Sequence, residues 1–319
     1  MNQYWTSRVF SKEVVGTANA LVAGWGNIGG GVTQLLVGSA LFPLFKIIYS
    51  GDDDKAWRTV CVVPAVVAFT TGVLVYFNSD DSPKGNYNEL KKHGNLPPVS
   101  AVASLRTGFF NLSSLVLLLQ YGCCDGVGLT MDNATALYFA DKFGLSTASA
   151  AAVASSFGWM NVFARPLGGF LSDKLNARFG VRGRLWIQAS FLAIEGGLVL
   201  IFATTDTLAV AIVVMIFFSI FEQGASGTTF SIVPYIDPPN TGSISGVVGA
   251  GASIGAVGFG FVFRQLSYKN AFTTMGATIL GAAALTALVN IKSPDLMATL
   301  ASWQTCDAKS AKEELETDE

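Results

Sequence analysis

The chain has 319 residues, 51% of them hydrophobic and only 13% charged, with a formal net charge of −2 and a mean hydropathy of +0.47. Soluble domains carry roughly 25% charged residues, so this composition excludes an ordinary water-exposed globule, and the lack of a basic excess excludes an electrostatic nucleic-acid binder. A single histidine, His93, and four cysteines without framework spacing (Cys61, Cys123, Cys124, Cys306) exclude a disulfide scaffold and most metal sites, which leaves an all-α integral membrane protein with lipid as its solvent and no cofactor.

Met1–Lys12 is polar and mixed in charge and does not read as a cleavable signal peptide. A membrane-crossing helix needs roughly 20 mostly apolar residues. Eight such stretches follow in order: Val14–Leu41, Trp57–Phe77, Leu105–Phe139, Thr147–Leu171, Leu185–Phe202, Leu208–Tyr235, Ser243–Phe263 and Ala271–Ile291. Those longer than a straight crossing requires predict tilt or kinks. The breaks between them carry turn residues, as in Ser50–Lys55, Asp141–Ser146 and Ser172–Arg184.

Lysine and arginine concentrate on one side of this arrangement, in the breaks holding Lys84, Lys91, Lys92, Lys174, Arg178, Arg182 and Arg184, beside Arg8, Lys12 and Lys292. The positive-inside rule then puts both termini in the cytoplasm, although Arg264 and Lys269 run against the trend. The longest break separates two spans from six. Six helices after a long cytoplasmic loop is half of a twelve-helix transporter built from three-helix repeats. The expected organisation is a two-span remainder of an N-terminal half (1–77), a cytoplasmic linker (78–104), a six-helix half (105–292) and an acidic cytoplasmic tail (293–319). By that arithmetic four helices are missing from the front, and the bundle is partial.

Gly24-Trp25-Gly26-Asn27-Ile28-Gly29 matches the spacing of a dinucleotide fingerprint, but that fingerprint needs a strand before it and a helix after it. Here the glycines sit inside an apolar run, where small residues let helices approach closely. Packing does not ask for Asn27, and an unpaired amide in lipid is costly, so Asn27 is expected to face a polar cavity. A second glycine-rich run, Gly242–Gly260, places Gly242, Gly246, Gly249 and Ser253 on one helical stripe and Gly251, Gly255 and Gly258 on a neighbouring one.

Arg165, within Thr147–Leu171, is the most informative residue. Arginine near the centre of a membrane helix costs about 2.5–3.5 kcal/mol by insertion scales and must meet a counter-charge, a wet cavity or an anion. Its planar fork matches a planar oxyanion. Asn161 lies one turn before it, and Pro166 leaves a carbonyl one turn back without its helical donor. A structural salt bridge to an acidic neighbour is the competing reading. Tyr121, Asp125, Gly128 and Asp132 recur on one face of Leu105–Phe139, and Glu195 and Glu222 lie in later spans; each carboxylate is either structural or a proton carrier. The charges of Gly168–Arg184 are accounted for by a solvated loop at the cytoplasmic end of the arginine helix.

The pattern GGxLSDKLxARFGxRxR at Gly168–Arg184 resembles the signature loop of the major facilitator superfamily. Ala23–Gln34 and Gly246–Gly258 resemble the two nitrate signatures of the nitrate/nitrite porter family within it, and Phe163-Ala164-Arg165-Pro166, Arg182–Trp186 and Ile232–Tyr235 are similar to its eukaryotic high-affinity nitrate transporters. The resemblance implies that Val14–Leu41 is the fifth helix of twelve and Ser243–Phe263 the eleventh. It also implies that nitrate is held between two arginines, of which Arg165 is the second, with Tyr121 as an aromatic residue against the anion. Ser253 stands where relatives often carry asparagine.

The implied site comprises Arg165, Asn161, Tyr121, Asn27, Gly26, Gly30, Gly249, Gly251 and Ser253, with Asp125, Asp132 and Glu222 as proton-coupling candidates and no metal. The expected function is import of nitrate, and of nitrite, coupled to protons by alternating access across the plasma membrane, with an accessory membrane protein as a further candidate partner. Transport of another small anion, or a non-functional fragment, are the alternatives. Without a catalytic cluster of His, Cys, Ser or carboxylates, an enzyme is not expected.

Overall fold

The computed structural model describes residues 2–78, 100–289 and 291, and every regular element among them is helical. Short α1 (Asn2–Val9) precedes α2 (Val15–Asn27), α3 (Gly29–Val32), a π-helical stretch Thr33–Leu41 and α4 (Phe42–Ile48). The last four run on as one apolar path, Val15–Ile48, of 34 residues. Helix α5 (Asp53–Asn78) packs on α4 and exposes most of its apolar side chains, among them Val66, Phe69 and Phe77. After the undescribed stretch come α6 (Ala101–Phe110), α7 (Leu112–Cys123), α8 (Asp125–Phe143), α9 (Thr147–Trp159), α10 (Ala164–Phe179), α11 (Val181–Ala203), α12 (Leu208–Ile232), α13 (Thr241–Gln265) and α14 (Tyr268–Ala284).

Among the described residues, seven helical paths are long and apolar enough to cross a membrane. Seven of the eight stretches expected from the sequence fall on them. The eighth, Thr147–Leu171, is helical but interrupted at Met160–Phe163. Leu105–Phe139 is divided as well. Asn111 leaves helical geometry and its Oδ1 accepts from the Ser113 and Ser114 amides, capping α7. The helix before it starts at Ala101, behind a Ser100 cap, four residues earlier than the sequence predicts. Residues 79–99 of the expected linker and the whole expected tail (293–319), with His93 and Cys306, lie outside the described residues.

Two connections are sharper than the sequence suggests. Gly144 closes α8 at φ 67° and Gly180 joins α10 to α11 at φ 64°, a region where a side chain is strained. The expected polar loop Ser172–Arg184 is therefore one residue, Gly180, between two helices. In lipid no hydrophobic force draws helices together, so contact depends on close packing through small residues. A Cβ on Gly31 would stand 2.9 Å from the Trp159 amide nitrogen, and one on Gly255 would stand 2.7 Å from the Gly122 Cα. The Gly24–Gly29 run is helical with no strand before it, which rules out the nucleotide fingerprint; of its three glycines Gly24 packs against Asn161 and Arg165, while Gly26 and Gly29 meet open space. An aromatic cluster built on Tyr138, Phe202 and Phe272 ties α8, α11 and α14 together at one end, with ring centroids 4.8–5.3 Å apart.

Candidate functional site

The interruption in the arginine span positions the site. Pro166 has no amide hydrogen to return to residue 162, and the chain answers with a 3-10 turn at Met160–Val162 before α10 begins at Ala164. Arg165 thus sits in the first turn of a fresh helix and Asn161 in the turn ahead of it. Helices α2 and α12 close on the arginine backbone. A Cβ at Gly24 would lie 3.2 Å from the Arg165 Cβ, and Gly227 faces the Arg165 carbonyl.

Arg165 is 1% exposed and makes an ion pair with Asp125, the first residue of α8. Asn27 Nδ2 from α2 donates to the same Asp125 oxygen at 3.3 Å, and Ser226 Oγ from α12 reaches it at 3.4 Å. The salt bridge weighed from the sequence is therefore present.

It borders a cavity of about 250 Å³ lined by Gly26, Asn27, Gly30, Asp125, Gly128, Leu129, Asp132, Asn161, Glu222 and Gln223. Water occupies roughly 30 Å³ per molecule in the liquid, so the space holds a small ion with several waters. Arg165 lies behind Asp125 and is not among the lining residues. Glycine makes room for the acids. A Cβ on Gly30 would stand 2.6 Å from Asp132 Oδ2, and one on Gly128 would stand 2.7 Å from Glu222 Oε1. Neither oxygen of Glu222 has a hydrogen-bond partner among the described residues, and Glu222 is fully buried. Three carboxylates against one guanidinium leave two excess negative charges when all are ionised. Such a cavity repels an anion until protons neutralise it.

Eight of the residues singled out from the sequence, Gly26, Asn27, Gly30, Asp125, Gly128, Asp132, Asn161 and Glu222, line this one space. The others stand elsewhere. Tyr121 is buried a turn before Asp125, its ring edge-on to Phe230 at 5.0 Å. Gly251 packs against the Leu118 carbonyl, a Cβ on Gly249 would meet open space, and Ser253 is exposed; none of these three lines the cavity. The sequence reading missed Gln223 and Ser226. Ser226 falls four residues after Glu222 on one helix, a spacing that places it on the same face.

A second buried arginine corrects the reading of Gly168–Arg184 as a solvated loop. Arg184 is fully buried and pairs with Asp173 at 2.7 Å. Asp173 accepts from the Gly16 amide at 3.1 Å and from the Thr17 amide and hydroxyl, each at 2.6 Å, so it caps α2. Arg184 also donates to Ser172 Oγ at 3.0 Å and lies over the Tyr235 ring at 4.9 Å. The Tyr235 hydroxyl in turn donates to the Lys12 carbonyl at 2.9 Å. Only the outer charges of the segment are solvated: Lys174, Arg178 and Arg182 are exposed.

Residues 1–259 match the Major Facilitator Superfamily. The chain belongs to that superfamily. It is 38% identical over 279 residues to the high affinity nitrate transporter 2.5 of Arabidopsis thaliana, covering 88% of this chain and 55% of that protein. It is also 38% identical over 262 residues to the high-affinity nitrate transporter 2.3 of Oryza sativa subsp. japonica (82% of this chain, 50% of that one) and over 263 residues to the nitrate transporter 2.2 of Chlamydomonas reinhardtii (80% and 50%). The chain spans about half the length of these curated relatives. As a facilitator-superfamily member built of apolar helices, it is a multi-pass membrane protein.

Proposed function

We propose that this chain carries nitrate, and nitrite with it, through the cavity beside Arg165, as a porter and not as an enzyme. The observation that carries the reading is the buried guanidinium of Arg165 at the edge of a polar cavity inside an apolar bundle. A guanidinium presents a planar fork of donors that a planar oxyanion can match. The names of the relatives support nitrate as the cargo.

Proton coupling belongs to the same reading. Import of an anion against an inside-negative potential costs about 2.3 kcal/mol per 100 mV, and two protons entering with each nitrate reverse the sign of the charge moved. The acidic excess of the cavity supports coupling, with Asp125, Asp132 and Glu222 as the candidate carriers. Alternating access by rocking around a mid-membrane site would use the glycine-lined helix contacts as sliding surfaces. The reading places the porter in the plasma membrane with both termini cytoplasmic, and an accessory membrane protein remains a candidate partner.

The test is nitrate titration of the purified chain in phosphatidylcholine nanodiscs at acidic pH, with chlorate, nitrite and gluconate as competitors. The reading predicts saturable binding displaced by chlorate and nitrite but not by gluconate. Absence of saturable nitrate binding would overturn it, and stronger binding of a non-planar anion would change the cargo.

A further inference from the structure

The ion pair and the anion-binding role of Arg165 compete for the same donors. Arg165 is 1% exposed and stands behind Asp125, whereas Asp125 lines the cavity with 13% of its side chain exposed. An oxyanion arriving through the cavity meets the carboxylate first. We propose that Asp125 is a displaceable counter-ion for Arg165: it occupies the guanidinium while the cavity is empty, and an entering oxyanion takes its place as Asp125 swings away bearing one proton.

The proposal rests on the nitrate reading above and assigns the coupling step within it. The Arg165–Asp125 ion pair breaks, an Arg165–oxyanion pair forms, and a proton that enters from bulk solvent as hydronium bonds to an Asp125 oxygen, leaving neutral water. One negative and one positive charge enter together, so the net charge of the cluster is the same before and after. Arginine keeps its proton throughout.

Three features fit Asp125 to this task. Its other restraints are few: apart from Arg165, its carboxylate has long contacts to Asn27 at 3.3 Å and Ser226 at 3.4 Å, and the Tyr121 hydroxyl as a further neighbour. Its place is at a break between two helices. It is the first residue of α8, directly after Cys124, whose backbone (φ −113°, ψ −77°) departs from helical values, so the side chain can turn without bending a helix. Its surroundings require a proton once the arginine is lost, because an ionised carboxylate buried without a partner is costly.

The charged and titratable groups around it are Arg165 from α10, Glu222 from α12, Asp132 further along α8, and Tyr121 and Cys124 at the end of α7. Helix α2 faces it with Asn27. Helix α9 brings no titratable side chain, and α13 only Arg264 in its last turn. Among the described residues, no cation apart from Arg165 borders the cavity to receive the displaced carboxylate. The two nearby acids would repel it ionised.

The experiment is calorimetric titration of the nanodisc-embedded chain with nitrate across a pH series, in buffers of different ionisation enthalpy, paired with nitrate-minus-free infrared difference spectra. Each proton taken up with the anion raises Kd about tenfold per pH unit by linkage, and a protonated-carboxyl band appears with nitrate. In Asp125→Asn that band and one proton of uptake are lost, and the pH slope falls by one, since the arginine is no longer occupied by a charge. Asp125→Glu keeps the uptake and moves the band, and it serves if the asparagine variant does not fold. Nitrate binding without proton uptake, or a band and slope unchanged in both variants, would overturn the displaceable counter-ion alone. Failure of the wild-type chain to bind nitrate at any pH would overturn the nitrate reading together with it.

Discussion

Arg165 and Arg184 are both buried and both face an aspartate, yet their surroundings differ in kind. Asp173, beside Arg184, is held by two backbone amides and a hydroxyl at 2.6–3.1 Å, and the guanidinium is backed by a serine hydroxyl and an aromatic ring. No lining residue of the acidic cavity belongs to that cluster. Asp125, beside Arg165, has long bonds to an amide and a serine and opens onto the cavity. Depth alone therefore says little about a charged residue. The number of partners that satisfy its counter-ion separates a clamp from a binding charge.

The comparison breaks most readily at the clamp. Arg184→Ala leaves Asp173 buried without its cation, and removing one partner of a buried pair costs about 3–5 kcal/mol. Thermal unfolding and size-exclusion profiles in detergent should show a large loss of stability. Full stability in that variant would remove the distinction. A smaller effect is expected at the helix contacts. Gly255→Ala drives a methyl into the Gly122 backbone, and overpacking costs about 1–3 kcal/mol. Unfolding temperature should fall while nitrate Kd stays put.

The smallest stability effect is expected at the glycines under the acids. Gly128→Ala displaces only the flexible end of Glu222, and Gly30→Ala that of Asp132. A gain in helix propensity of up to about 1 kcal/mol offsets the shift, so stability should be nearly unchanged. The pH midpoint of nitrate binding should move, because a carboxylate lining the cavity has moved. A stability loss as large as that of Gly255→Ala would show that these glycines serve packing instead.

The site was more legible in the sequence than the clamp was. Helical spacing placed Asp125, Gly128 and Asp132 on one face, an amide among glycines marked Asn27, and Pro166 foretold the break that sets Asn161 and Arg165. These are local signals, each carried by a few neighbouring residues. The clamp joins Asp173 to the amide of Gly16, 157 residues away in the chain, and no periodicity reports such a distance. Its charges sit at a helix end, where composition reads as solvated loop. The glycine stripes of Gly242–Gly260 were visible too, but spacing could not say which one meets a neighbour. Gly251 and Gly255 are packed, while the stripe of Gly246 and Gly249 faces open space among the described residues.

The most direct test of the central contrast is nitrate titration of Arg165→Lys beside the wild-type chain. Lysine keeps the charge but loses the planar fork. Hydrogen bonds to charged groups contribute about 1.5–3 kcal/mol each, so Kd should rise by roughly 10- to 150-fold with the unfolding temperature little changed. A nitrate affinity equal to that of the wild type would show that Arg165 is a second clamp and that the cavity binds its anion, if any, by other means.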